Sequence, residues 1–149
     1  MKKYTLYLIA GLVATVALVL LSGTILDAMF AGQTEFANEM YNNNLYQMTT
    51  LFSALYAWVL AAVFYYVVNS VSFSRWYHWL IVLGVAAVAS SVTAYTYCDG
   101  IFADDGVDFG DQLFGFAVAN LLVEAMLFVI ASFSMRWWSS NCRHTPIPE

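Results

Sequence analysis

The stretch FAVANLLVEAMLFVIASF, Phe116 to Phe133, is apolar except for Asn120, Glu124 and Ser132. A carboxylate in such surroundings has three chemical uses. It can relay a proton or cation, meet a polar residue of a partner helix, or hydrogen-bond within its own bundle. On a helix, Asn120 lies one turn before Glu124 on the same face, which Ala117 and Ala131 extend with small side chains. No basic residue lies in any apolar stretch to pair with the acid. Desolvation then favours the neutral form. Glu124 is therefore expected to hold its proton near neutral pH and to hydrogen-bond Asn120, or Ser90, Ser91 or Thr93 of the preceding apolar stretch. A transport relay ordinarily needs a chain of such groups, and here one carboxylate stands alone.

The second concentration of carboxylates is CDGIFADDGVDFGDQ, with Asp99, Asp104, Asp105, Asp108 and Asp111 among three glycines. Calcium collects about six to eight oxygens from such groups. The spacing departs from the D-x-[DN]-x-[DN]-G loop, so these five are only a weak metal candidate and a solvated anionic hairpin is expected. Its apolar residues Ile101, Phe102, Val107 and Phe109 are expected to touch the first loop or another protein. Elsewhere the sequence has no H-E-x-x-H, no G-x-S-x-G and no phosphate-binding glycine loop. His78 and His144 belong to one side, which disfavours a midplane haem held by two histidines of one chain. The expectation is a non-enzyme without a cofactor.

The elements that carry these residues follow from composition. Of the 149 residues, 62% are hydrophobic and only 10% charged, whereas a soluble domain is about a quarter charged. Charges are also segregated. Between Lys3 and Asp27 lie 23 uncharged residues, between Glu39 and Arg75 another 35, and between Arg75 and Asp99 another 23; Gln112 to Met135 gives 24, broken only by Glu124. Each window meets the roughly 20 residues that cross a hydrocarbon layer. The fold class expected is all-α, a single four-helix transmembrane bundle with helices near 4–26, 46–69, 76–98 and 112–135. Loops at 27–45 and 99–111 lie outside, and a tail at 136–149 inside. The first window exceeds a signal-peptide core and lacks a good cleavage site, so it is read as a retained helix. Leu, Ile, Val and Phe in the fourth window favour insertion by about 0.3 to 0.6 kcal/mol each. That outweighs the about 2.5 to 3.5 kcal/mol of one central charge.

With four crossings, Lys2, Lys3, Arg75, Arg136 and Arg143 share one side, and Asp27, Glu35, Glu39 and the five loop aspartates share the other. The positive-inside rule makes both termini cytoplasmic and the acidic side external. Trp76, Trp79, Trp137 and Trp138 are expected to be interfacial anchors. An outer face without basic residues excludes a nucleic-acid partner. Cys98 and Cys142 fall at opposite faces, too far apart for one disulfide, and Cys98 could pair only with another chain.

Small residues at fourth positions, Ser53, Ala57 and Ala61, then Ala86 with Ser90 and Ala87 with Ser91, allow close helix approach, within the chain or between copies. The first outer loop is expected to hold a short helix capped by Thr34, with Phe36 and Met40 on one side and Asn42 to Asn44 as its stop. Pro146 and Pro148 make the tail extended, either disordered or docked on a partner. Together these features predict a multi-pass structural or accessory subunit of a larger envelope assembly, such as a secretion-type machine, in the bacterial cytoplasmic membrane. Its partners are the lipid bilayer, other membrane subunits or copies of itself. The alternative is a small oligomeric channel or proton-coupled transporter with Glu124 around a shared axis.

Overall fold

A computed structural model describes residues 2–148. Helix α1 spans Lys2–Phe30, α2 Thr34–Asn42, α3 Leu45–Ala62, α4 Trp76–Asp104 and α5 Gly110–Met135. A π-helical turn, Val63–Val68, prolongs α3, and short 3-10 turns occupy Val71–Phe73 and Arg136–Trp138. Four helices are long and apolar enough to span a membrane: Lys3–Phe30, Leu45–Val68, Trp76–Asp104 and Gly110–Trp138. At 1.5 Å per residue the longest reach about 43 Å, more than the roughly 30 Å hydrocarbon layer requires.

The spans run up, down, up, down, so α3 and α5 are parallel. They nevertheless pack directly on one another, and α1 and α4 each pack against both. Small side chains permit this central contact: Ser53, Ala57 and Ala61 of α3 and Ala131 of α5 are all fully buried. Along α5 the buried face continues toward the loop through Phe116 and Leu113. Ala117 is turned partly outward.

The acidic end differs from the sequence expectation in extent. Helix α4 does not stop at Cys98 but continues to Asp104, because polar residues beyond the hydrocarbon remain good helix surface. It ends in a Schellman turn: Gly106 has φ +72°, its N–H donates to the Ala103 carbonyl at 3.2 Å, and the Val107 N–H donates to the Phe102 carbonyl at 2.9 Å. The connection to α5 is thus a short turn, in which Asp108 accepts the Gly110 N–H at 3.1 Å. Thr34 is the first helical residue of α2 rather than its cap. Gln33 holds the cap position and makes no side-chain cap bond. Asn44, at φ 54°, reverses the chain into α3.

Helix α2 closes this end with an aromatic plug. Phe36 meets Phe30, Phe102 and Phe109 at centroid separations of 5.7, 6.1 and 5.6 Å, and Phe116 meets Phe30 and Tyr46 at 5.9 and 5.8 Å. Phe36 and Met40 are fully buried. Phe102 and Phe109 of the second loop therefore touch the first loop of their own chain, while Val107 stays exposed.

At the opposite end the tail folds back on the bundle. The Tyr65 hydroxyl donates to the Thr145 carbonyl at 2.9 Å, and Tyr66 donates to the Met135 carbonyl at 2.7 Å. Asn69 binds Ser139, Ser140 and Asn141, and the Thr145 hydroxyl donates to the Ser74 carbonyl. The wider π turn brings Tyr65 and Tyr66 to these partners.

Helix α1 comes close to α5 at Gly11, where an added Cβ would lie 2.6 Å from Ser134 Cβ. Gly11→Ala is expected to destabilise the bundle by about 1–3 kcal/mol through overpacking. Gly84→Ala, which meets nothing within 4 Å, should be neutral or stabilising. Unfolding of both variants in mixed micelles measures the difference.

Candidate functional site

Asn120 of α5 is the hub of a polar layer inside the hydrocarbon depth. Its Nδ2 lies 3.1 Å from Ser53 Oγ on α3 and 3.3 and 3.4 Å from Ser90 and Ser91 Oγ on α4, so that its two N–H groups are shared among the three hydroxyls. Ser53 Oγ also lies 3.2 Å from Asn120 Oδ1 and can donate to it. Ser90 gives its own proton to the Ala87 carbonyl at 3.3 Å, which leaves its lone pairs turned inward. Ser53 and Ser90 are fully buried, Asn120 is 1% exposed and Ser91 7%. One amide thereby ties together three helices.

Glu124 sits one turn further along α5, also fully buried. Parallel register with α3 and antiparallel register with α4 place it level with Ala57 and Ala86, neither of which offers a polar side chain. Its side chain reaches Ser53 and Ser90, but both hydroxyls are already engaged, and neither carboxyl oxygen completes a hydrogen bond. Of the partners expected for Glu124, Ser90 is the one its side chain reaches, and Asn120 is not among its contacts. The amide is level with the serines, whereas the acid is a layer below.

Thr93 does not join the layer. Three residues beyond Ser90 turns it about 60° away, and its hydroxyl pairs instead with Tyr56 at 3.0 Å and the Ala89 carbonyl at 2.9 Å. Ser53 takes the place foreseen for it. Sequence reasoning had read Ser53 only as a small packing residue; its being the one hydroxyl in the Ser53, Ala57, Ala61 stripe was the available signal.

Of the tryptophans, Trp76 and Trp138 are exposed at the basic end. Trp137 stacks on Tyr4 and Tyr7 at 5.3 and 5.5 Å, with the Arg136 guanidinium 4.4 Å from its ring. Trp79 is not a surface anchor. It is buried, its indole N–H donates to Ser132 at 3.0 Å, and its ring packs on Phe128 at 5.5 Å. Helical phase aims it at α5 rather than at lipid.

The aspartates are dispersed along secondary structure: Asp99 and Asp104 on α4, Asp105 at its cap, Asp108 in the turn, Asp111 in the first turn of α5. Among the described residues, no group of three or more His, Cys, Asp and Glu side chains converges as a metal cage would. A groove of about 460 Å³ opens between α4 and α5 on the lipid side; Val88, Val92, Phe114 and Leu121 line it, with Ser91 in its floor. No protein-family model, curated protein or solved structure matches the chain.

Both thiols are free and fully buried, Cys98 in the aromatic plug and Cys142 where the folded tail packs on the bundle. Cys98 is thus enclosed by its own chain rather than presented to a partner. Burial pushes the Cys142 thiol up from its ordinary range, so less thiolate exists at a given pH. In the folded protein at pH 8, maleimide labelling of both cysteines should be at least roughly tenfold slower than after unfolding in denaturant. Rapid labelling without unfolding, read by intact mass, would contradict the closed plug and docked tail.

Proposed function

We propose that this chain is a non-enzymatic subunit of a larger membrane assembly, a compact bundle that other membrane subunits pack against. Its setting is the bacterial cytoplasmic membrane, with the lysine- and arginine-bearing end, including both termini, on the cytoplasmic side by the positive-inside rule. A secretion-type envelope machine is the kind of assembly meant. The observation that carries this reading is the inward use of polar chemistry. Asn120 joins α3, α4 and α5, and Tyr65 and Asn69 fasten the tail, so these groups hold the chain's own elements. What such a bundle offers neighbours is a set of apolar helix faces, among them Leu55 and Val59 on α3 and Val85 and Val88 on α4, and an acidic outer end.

A second reading, an ion channel or proton-coupled transporter, is favoured by one observation: both oxygens of Glu124 lack a hydrogen-bond partner. Because that carboxyl is enclosed within one bundle, this reading is better served by a route inside a single chain than by an axis shared among copies.

Mild solubilisation followed by crosslinking and mass identification tests the assembly role. The chain is expected to be recovered with a membrane partner in fixed stoichiometry, and Glu124→Gln should recover the same complex. Reconstituted liposomes should show no proton flux above empty vesicles. A flux carried by the wild type and abolished by Glu124→Gln would favour the transporter instead.

A further inference from the structure

We propose that Glu124, Ser53 and Ser90, with Asn120 holding the two serines in place, form a binding site for one sodium ion. The proposal concerns what occupies the centre of the bundle and does not depend on the assembly role, since a bound ion can brace a scaffold as well as pass through a transporter.

Buried polar atoms are nearly always paired, and an unpaired buried carboxyl oxygen calls for a ligand. Glu124 has two such oxygens, on a fully buried side chain. Beside them stand Ser53 Oγ and Ser90 Oγ, held in place by bonds of 3.1 to 3.3 Å to the Asn120 amide. Four oxygens from three helices make a set suited to a hard cation stripped of its water. The Ser90 proton points away to the Ala87 carbonyl and one lone pair accepts the Asn120 N–H, which leaves the other lone pair to face an ion. Opposite the carboxyl, Ala57 and Ala86 present only methyl groups.

Charge selects a monovalent ion. Between positions 45 and 68, 76 and 98, and 4 and 26 there is no Asp, Glu, Lys or Arg, so α3, α4 and α1 bring no charged group toward Glu124. On α5 the next ones are Asp111 and Arg136, at the helix ends. The titratable Tyr46 and Cys98 belong to the acidic-end plug, Tyr56 pairs with Thr93, and Tyr65 binds the tail. One carboxylate and one monovalent cation bury no net charge, whereas a divalent ion would leave a positive charge uncompensated in hydrocarbon. The tight serine–asparagine cluster fits sodium better than the larger potassium. A proton competes for the same oxygens.

The test uses the full chain in detergent at pH 8.5, with thermal unfolding followed by tryptophan fluorescence in sodium, potassium or choline chloride at equal ionic strength. Sodium is expected to raise the midpoint by roughly 5 °C over potassium or choline. The increment should shrink as pH is lowered from 8.5 through neutrality, where the proton competes for the buried carboxylate, and vanish in Glu124→Gln. Ser90→Ala, which keeps the carboxyl, should raise the sodium concentration giving half the effect by about tenfold. Equal midpoints in sodium and potassium, an undiminished increment in Glu124→Gln, or an unchanged half-effect concentration in Ser90→Ala would each overturn the proposal.

Discussion

The amide of Asn120 is the constraint on which the bundle turns. Helices in lipid gain little from hydrophobic burial against one another, because acyl chains are as apolar as leucine, so their arrangement depends on close packing and on polar bonds. Here a single side chain bonds hydroxyls on α3 and on α4. Sliding or rotating α5 against either partner would break those bonds where no water can replace them. The parallel contact of α3 with α5 and the flanking position of α4 follow from satisfying that amide while the alanines bring the backbones close.

The two ends of the molecule are sealed by different chemistry suited to their surroundings. At the acidic end an aromatic plug, built by Phe36 on a short surface helix, covers the helix ends while the aspartates remain in solvent. At the basic end the closure is polar: tyrosine hydroxyls and Asn69 collect the carbonyls and side chains of the tail. Arg143 donates to the Tyr4 hydroxyl at 3.2 Å, joining the first and last parts of the chain. A bundle closed at both ends and pinned in the middle presents its neighbours with fixed helix surfaces, the property the assembly reading requires.

Much of this was legible in the sequence because membrane insertion imposes a coarse code. The absence of charge over some twenty residues at a time marks the spans, and helical periodicity places Ser90, Ser91 and Asn120 where they can meet. What periodicity does not supply is the neighbour. Ser53 looked like packing because nothing local says which helix faces it. Thr93 looked like a partner because only the phase relative to α3 removes it. Trp79 resembled an interfacial residue for the same reason. The end of α4 lies beyond the uncharged window that closes at Asp99, because the window marks the apolar span and not the helix, whose terminus is set by Gly106 at the position requiring positive φ. The docked tail depends on contacts between residues some seventy positions apart, which no short pattern encodes.

The central claim is that the bond across α3 and α5 carries coupling energy of its own. A double-mutant cycle with Ser53→Ala and Asn120→Ala, measured by reversible unfolding in mixed micelles, tests it most directly. The account predicts a coupling of about 0.5 to 1.7 kcal/mol between the two positions, in the range known for hydrogen bonds between membrane helices. Strictly additive effects would mean that the two side chains do not act on each other, and would contradict it.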